Sequence, residues 1–320
     1  MRVLITGASG FAGGYLARAC AAAGDEVVGV SRRGEVPTDA RSGRAVDLRD
    51  LDAVRALFAS VLPDVVYHLA ALSSVGRSWE NPVGTVQDNV ATAVNVLEAL
   101  RLDAADARVV WVSTCEVYGT PEQLPIDEDA PVQPANPYAV SKTAGDLLAG
   151  VYAEAHGLDI VRARPFNHTG PGQLPTFIVS SLAQQAAEGV VGGLERVRVV
   201  TGNPDTRRDF TDVRDVARAY RLLAAHGRRG EIYNVSSGHS VSAAEQVSLL
   251  SELVAPAELE HVIDPGRVRA HEVMDLRGSN DRIRAEVGWE PEIEFRQTMQ
   301  DSLRWWEGEL RAAPSGAAHG

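Results

Sequence analysis

The sequence is poor in cysteine, in positive charge and in long apolar runs, and each shortage excludes a class of protein. Cys20 and Cys115 are its only cysteines, too few for a disulfide framework and typical of a reducing cytoplasm. A net charge of -12 argues against a nucleic-acid or anionic-membrane binder, which needs a basic surface. No apolar run approaches the roughly 18 residues of a membrane span. The start, "MRVLITG", is expected to form a strand rather than a signal peptide.

The 320 residues, of which 45% are hydrophobic, are enough for two lobes with a substantial core. In the first half, short apolar runs alternate with helical patterns. This alternation predicts an α/β fold, a doubly wound parallel Rossmann sheet with ligands at the carboxyl ends of its strands. The predicted strands are 2–7, 26–31, 43–48, 64–70, 108–114 and 159–166, and the predicted helices are 11–23, 50–60, 83–101 and 137–156.

After residue 166 the pattern changes to that of a smaller C-terminal α/β lobe. The run "NHTGPGQLPT" is rich in glycine, proline and polar residues. Predicted helices 175–189, 212–226 and 242–253 and predicted strands 196–201 and 231–237 follow it. We expect a first domain over 1–170 and 207–238, a second lobe over 171–206 and 239–312, and a disordered tail over 313–320.

A glycine-rich turn follows the first predicted strand. The stretch "LITGASGFAGGYL" places Gly7, Gly10 and Gly13 after a strand and at the start of a helix. Glycines at this spacing permit a tight turn and close approach of the backbone to a pyrophosphate, which the helix N-terminus attracts. The turn therefore predicts a dinucleotide site.

The end of the second predicted strand indicates which dinucleotide is bound. It reads Ser31-Arg32-Arg33, and basic residues there favour NADP(H), whose 2′-phosphate they accommodate; a solvated turn is the alternative. For His68, a structural, hydrogen-bonded role is as good an interpretation as a functional one. The remaining predicted cofactor contacts lie in the glycine-rich turn or at strand ends: Ser9, Phe11, Ala12, Asp47, Leu48, Leu69, Ala70, Ala71 and Phe166.

A tyrosine and a lysine in "NPYAVSKTAG" form a candidate catalytic pair. Tyr138 and Lys142 are four residues apart, so a helix would present both on one face. An ammonium beside a phenol favours the phenolate and lowers its pKa from about 10. Such pairs also arise by chance on surface helices. This one gains weight from the glycine-rich turn and from Thr114, which ends the preceding strand in "STCEVYG".

With these motifs the chain resembles the extended short-chain dehydrogenase/reductases that modify nucleotide-activated sugars, from Met1 to about Trp306. The resemblance implies that Thr114, Tyr138 and Lys142 form the catalytic triad and that Asn89 supports it. It also implies that the first domain binds NADP(H) and the second lobe binds a nucleotide sugar. A homodimer through helices 83–101 and 137–156 is expected on the same ground.

Three later segments are similar to GDP-4-keto-6-deoxy-D-mannose reductases: "RPFNHTGPGQ" (164–173), "RDFTDVRDVARAY" (208–220) and "GSNDRIRAEVGWEP" (278–291). The implied reaction is NADPH-dependent reduction of the 4-keto group of a GDP-4-keto-6-deoxyhexose, giving GDP-6-deoxy-D-mannose (GDP-D-rhamnose) or a close relative.

Three alternatives stay open. The first is an NDP-sugar (GDP-mannose) 4,6-dehydratase. In NDP-sugar 4,6-dehydratases a glutamate at the place of Glu116 takes the proton from C5 of the oxidised sugar, although Cys115 stands where those enzymes carry Asp or Ser. A 4-epimerase is less compatible with segment 164–173. A non-catalytic NADP-sensing protein on the same fold has no need of Tyr138 as a proton donor.

The resemblance also implies a set of substrate contacts. Arg208 and Arg269 are expected on the substrate diphosphate, because a guanidinium fork matches phosphate oxygens; a surface charge is the alternative for each. Ala270 replaces the proline usual after the latter arginine. No metal site is expected. The full predicted set is Ser73, Ser74, Thr114, Glu116, Asn167, Asn203, Arg208, Arg269 and Glu272.

Overall fold

The computed structural model describes residues 1–36, 42–268 and 273–312, so the predictions for Arg269, Glu272 and the tail 313–320 lie outside the described residues. The strands are β1 (Arg2–Thr6), β2 (Glu26–Ser31), β3 (Ser42–Ala45), β4 (Val65–His68), β5 (Arg108–Val112), β6 (Ile160–Pro165), β7 (Asn167–Thr169), β8 (Arg196–Thr201), β9 (Arg207–Asp212), β10 (Ile232–Val235), β11 (Ser240–Ser242), β12 (Glu258–Ile263) and β13 (Asp275–Leu276). The helices are α1 (Phe11–Ala22), α2 (Leu51–Val61), α3 (Val75–Glu80), α4 (Pro82–Asp103), α5 (Pro137–Ala155), α6 (Ile178–Val191), α7 (Val213–His226), α8 (Ala243–Leu253), α9 (Asp281–Val287) and α10 (Phe295–Ala312).

One parallel sheet organises the first part of the chain. Its strands lie in the order β10-β6-β5-β4-β1-β2-β3. Successive residues of each strand face opposite sides: Val3 and Ile5 pack with α1, α7 and α9, whereas Leu4 packs with α2, α4 and α5. The predicted doubly wound Rossmann fold is confirmed. The strand order reverses between β1 and β4, which is where such sheets bind ligands.

The described chain divides into two compact units. The first comprises Met1–Phe166, Arg214–Ser236 and Gly278–Glu290, and the second comprises Asn167–Val213, Ser237–Arg277 and the chain from Pro291 onward. Within the second unit, β7, β9, β11 and β13 form one sheet and β8 pairs with β12. Helices α6, α8 and α10 supply its core.

These units differ from the predicted domains at two main places. Residues 207–213 belong to the second unit, because β9 pairs with β7, β11 and β13 rather than with the Rossmann sheet. Residues 278–290 belong to the first unit, because Ile283, Val287 and Trp289 are buried in the core that also holds Tyr220 and Tyr233. Within the described ranges, no helix has the length and apolar character that a bilayer crossing requires.

Candidate active site

The glycine-rich turn packs against the segment that follows β4. Gly7 has a φ of 74°, a conformation that glycine adopts without strain, and a Cβ there would lie 2.9 Å from the Ala70 nitrogen. Leu69 N donates to Thr6 O at 3.2 Å, and Ala70 N donates to Thr6 Oγ1 at 3.3 Å. The structure thus brings Gly7, Leu69 and Ala70 together beside the crevice between β1 and β4.

The start of α1 depends on a second close approach. A Cβ on Gly13 would lie 2.9 Å from the Ala8 Cα, so only glycine lets the first turn of α1 settle on the loop. Ser9 and Gly10 precede the helix and are exposed, while Phe11 and Ala12 open it and are half-buried. The N-terminal turn and its dipole therefore lie next to the loop that would hold a pyrophosphate.

The end of β2 offers groups that fit the adenosine end of a dinucleotide. The Ser31 hydroxyl is buried and has no hydrogen-bond partner among the described residues, which a ligand hydroxyl or phosphate would supply. Arg32 and Arg33 follow with exposed side chains. These residues and the glycine-rich turn fit NADP(H).

The two predicted cofactor contacts after β3, Asp47 and Leu48, already have partners within the protein. Arg49 Nη2 lies 2.7 Å from Asp47 Oδ2. Hydrogen bonds from the side chain and backbone of Arg49 lower the pKa of the Asp47 carboxyl to about 2. The Leu48 side chain is buried in the core of the α2 face. Asp47 is therefore paired with Arg49 at the surface, and Leu48 contributes packing.

Thr114, Tyr138 and Lys142 converge at the carboxyl end of β5. The predicted strand 108–114 stops at Val112, and Thr114 caps a 3-10 helix over Cys115–Tyr118, its hydroxyl accepting from Glu116 N at 3.3 Å. Tyr138 lies in the first turn of α5, close enough for the Thr114 hydroxyl to influence its pKa. The Lys142 Nζ, one turn further, donates to Val112 O at 2.6 Å.

Burial sets the proton affinities of this group. Tyr138 and Lys142 are each only 8% exposed. Burial raises the pKa of Tyr138 above its ordinary value, and the Thr114 hydroxyl opposes that rise. Burial lowers the pKa of Lys142 to about 8, against the attraction of Asp146. The expected lowering of the Tyr138 pKa by the Lys142 ammonium is thus wrong for the chain as described, because burial of the phenol outweighs it. A neutral phenol is suited to passing one proton to a substrate oxygen.

Asn89 connects three segments around this pair. Its Oδ1 accepts from Leu72 N at 2.8 Å, and its Nδ2 donates to Leu72 O at 3.2 Å and to Ser141 Oγ at 2.8 Å. Ser141 lies between the candidate catalytic residues on α5, and its hydroxyl donates to Tyr138 O at 2.7 Å. Asn89 therefore fixes the segment after β4 relative to α5.

The next residues along that segment reach the start of α3. Ala71 is half-buried and Ser73 is exposed. The Ser74 hydroxyl caps α3 by accepting from Arg77 N at 3.3 Å. Ser73 is thus accessible to a ligand, whereas the Ser74 hydroxyl is already used to cap α3.

Glu116 and Cys115 occupy the 3-10 helix that carries Thr114 at its start. Glu116 is half-buried, and its Oε2 accepts from Asn136 Nδ2 at 2.9 Å. Cys115 is 3% exposed, so its thiol is largely enclosed by protein. Glu116 is the more accessible of the two side chains.

His68 has a structural role. Its Nδ1 is 2.9 Å from Thr6 Oγ1, and its ring lies 4.2 Å from the Trp111 ring between centroids. Burial, with a further contribution from Lys142, lowers its pKa to about 3. The imidazole is therefore neutral at physiological pH and packs beneath the site.

The remaining predicted residues are distributed over the two units. Phe166 ends the first unit, 2% exposed, with its ring against Gly278. In the second unit, Asn167 Nδ2 donates to Asp209 O at 3.3 Å, and Arg208 Nη1 donates to Val273 O at 2.8 Å. Asn203 is half-buried and its Oδ1 accepts from Asp205 N at 3.1 Å.

Sequence reasoning missed three residues close to the candidate catalytic pair. Asn136 caps α5, and an Asn-Pro pair before a helical pattern could have revealed it. Asp146 lies one turn after Lys142 and forms a buried ion pair with Arg164. The spacing of four from Lys142 could have indicated Asp146, but no local signal pointed to Arg164.

Comparison with known proteins identifies similar chains along nearly the whole length. The model of the family described as GDP-mannose 4,6 dehydratase matches residues 4–302. GDP-6-deoxy-D-mannose reductase from Pseudomonas aeruginosa is 38% identical over 97% of this chain and 98% of its own. UDP-glucose 4-epimerase from Mycolicibacterium smegmatis is 33% identical over 96% of this chain and 98% of its own.

A solved structure from Pseudomonas aeruginosa has the same fold as this chain. The structure of RMD from Pseudomonas aeruginosa complexed with NADPH superimposes with a TM-score of 0.84 and 35% identity, covering 97% of this chain and 100% of that one. Both the sequence and the fold are therefore shared along nearly the complete length of these relatives.

Proposed function

The chain belongs to the GDP-mannose 4,6 dehydratase family, and from that membership we propose that it reduces the 4-keto group of a GDP-4-keto-6-deoxyhexose with NADPH. The product is GDP-6-deoxy-D-mannose (GDP-D-rhamnose) or a close relative. The observation that carries the proposal is the convergence of Thr114, Tyr138 and Lys142 at the end of β5. The 38% identity to a GDP-6-deoxy-D-mannose reductase supports the choice of substrate. The extended short-chain dehydrogenase/reductase identification made from the sequence is confirmed.

Each residue of the triad has a defined task in this proposal. Bound NADPH supplies a hydride to the ketone carbon. Tyr138 donates the proton that converts the resulting alkoxide to a hydroxyl. Thr114 orients the phenol, and the Lys142 ammonium holds the cofactor ribose and stabilises negative charge on the phenolate. The chain thus supplies orientation and electrostatics, while the cofactor supplies the electrons.

The remaining groups bind and orient the two ligands. The glycine-rich turn and α1 hold the cofactor pyrophosphate, and Ser31, Arg32 and Arg33 hold the 2′-phosphate. Arg208 binds the substrate diphosphate, for which its fork geometry is suited. Glu116 accepts a hydrogen bond from a sugar hydroxyl rather than acting as the base of an elimination.

A two-tube absorbance experiment tests the proposal. One tube contains purified protein, NADPH and GDP-4-keto-6-deoxymannose; the other contains protein, GDP-mannose and NADP⁺. We expect loss of reduced-nicotinamide absorbance only in the first. A 4-keto-6-deoxy sugar in the second, without net change in NADPH, would instead establish the dehydratase that the family description suggests. Cofactor binding without turnover in either tube would favour a non-catalytic sensor.

The dimer predicted through α4 and α5 also remains a proposal. On α5, Val140, Leu147 and Val151 are 46%, 52% and 56% exposed, and their spacing of seven and four places them on one helix face. We expect Leu147→Glu to produce monomers in light scattering, because a charge would be buried at the interface. Leu194→Glu, at a position 55% exposed in the second unit, is the matched control. A monomeric wild-type protein at working concentration would refute the interface.

Localisation in the cytoplasm is proposed on the chemistry of the chain. Cys20 and Cys115 are both buried as thiols, which suits a reducing compartment. Fractionation of cells that express the chain should place it with cytoplasmic markers.

A further inference from the structure

The side chain of Asn136 uses both of its functional groups. Its Oδ1 accepts from Ala139 N at 2.8 Å and so caps α5, while its Nδ2 donates to Glu116 Oε2 at 2.9 Å. An amide presents an acceptor and a donor at once, whereas an ionised carboxylate of the same length only accepts and cannot make both contacts. The residue type is therefore matched to two partners on different elements.

These contacts are part of a closed ring of interactions around the active site. Glu116 N donates to Thr114 Oγ1 at 3.3 Å, and the Thr114 hydroxyl is near enough to Tyr138 to influence the pKa of its phenol. Tyr138 belongs to the first turn of α5, which Asn136 caps. The ring joins the 3-10 helix Cys115–Tyr118 to α5, so movement of the Glu116 carboxylate is opposed through both elements.

We propose that Asn136 is a positioning residue for the reaction. It holds the Glu116 carboxylate in one orientation, in which that carboxylate accepts from a sugar hydroxyl, and it keeps Thr114 in register with Tyr138. The proposal rests on the proposed function, because it takes the substrate to be a polyhydroxylated sugar. It assigns a role to a residue that lies outside the predicted triad.

Asn136→Asp is the informative substitution. Aspartate is as good a helix cap as asparagine, so α5 retains its start. The new carboxylate would face that of Glu116 at hydrogen-bonding distance, and two such groups compete for one proton. We expect kcat/KM near pH 8 to fall about 10- to 100-fold, the effect of losing a charge-assisted hydrogen bond and gaining a repulsion. Activity should recover as the pH falls and a proton bridges the pair.

The same substitution in a Glu116→Gln background supplies the coupling test. There the amide introduced at position 116 can donate to the carboxylate introduced at position 136, so we expect Asn136→Asp to reduce kcat/KM by less than about threefold relative to Glu116→Gln alone. Asn81→Asp is the matched control, since Asn81 caps α4 by accepting from Gly84 N at 3.0 Å. It should change kcat/KM by less than about twofold.

Two results would overturn the inference. One is an equal loss from Asn136→Asp in both backgrounds, and the other is a pH profile that keeps its wild-type shape. A cycle of urea midpoints for the same four proteins measures the contact without reference to catalysis. If wild-type protein fails to consume NADPH, the proposed function falls, whereas non-additive midpoints would still support the contact and additive ones would refute it.

Discussion

The buried ion pair between Asp146 and Arg164 links stability to the protonation of Lys142, the candidate catalytic lysine. Asp146 Oδ2 accepts from Arg164 Nε at 3.1 Å and Nη2 at 2.6 Å, and the two side chains are 1% and 2% exposed. The guanidinium also lies 4.9 Å from the centroid of the Tyr118 ring. Asp146 also raises the pKa of Lys142, which burial lowers. Replacing Asp146 should therefore change both the stability of the fold and the pKa of Lys142.

Asp146→Asn leaves the Arg164 charge buried without its partner. Breaking a buried pair from one side costs about 3–5 kcal/mol, whereas replacing both members with apolar side chains is often nearly neutral. A total stability of roughly 5–15 kcal/mol means that the variant folds with a much smaller margin. We expect a clearly lower urea midpoint for Asp146→Asn and a smaller change for the double variant Asp146→Leu with Arg164→Met.

The pH dependence of activity supplies an independent readout. The pKa of Lys142 is about 8 in the folded chain, and the proposed reduction uses the protonated amine. Wild-type kcat/KM should therefore fall as the pH rises through about 8. Asp146→Asn removes the attraction that favours the ammonium, so the decline should begin at a lower pH. NADPH absorbance measured across the alkaline range gives both curves.

The lysine also makes a predictable contribution to stability. Its pKa is lower in the folded chain, about 8, than the ordinary 10.5. The unfolded state therefore binds more protons between these values, and the free energy of unfolding should rise with pH in that window.

Asp129→Asn is the matched control for the Asp146→Asn variant. Asp129 Oδ2 lies 3.0 Å from Arg282, and its side chain is 82% exposed, so removal of this surface pair should cost no more than about 1 kcal/mol. Equal urea midpoints for Asp146→Asn and wild type would refute the energetic argument. A decline of activity displaced to higher pH would refute the electrostatic one.

Two further substitutions test the assignments at the site. Tyr138→Phe should lower kcat by about 10²- to 10⁴-fold, because the proton donor is lost, while NADPH titration by fluorescence shows retained binding; near-normal turnover would contradict the role of Tyr138. Cys115→Ala should keep most of the reductase activity, since the thiol is enclosed and has no task in the proposed reduction. A loss of several orders of magnitude in a folded Cys115→Ala protein would show that the thiol takes part.

The sequence alone was sufficient for the local parts of this protein. Strand, glycine-rich turn and helix are consecutive, so Gly7 and Gly13 are recognisable without any distant contact. Tyr138 and Lys142 are separated by one helical turn and remain together on α5. The alternation of buried strands and helices likewise determined the doubly wound fold, because a parallel sheet needs a helical crossover between its strands.

Only the tertiary structure decided the contacts between distant segments. Residues 278–290 join the first unit because Trp289 is buried beside α7 and its Nε1 donates to Asp215 O at 3.0 Å. Glu116 meets Asn136 across 20 residues, and Arg164 meets Asp146 across 18. Such pairings depend on which buried charges and hydrogen-bonding groups find partners when the elements pack. Local sequence periodicity does not predict these pairings between distant residues, and the pairings decide how the candidate catalytic residues are held.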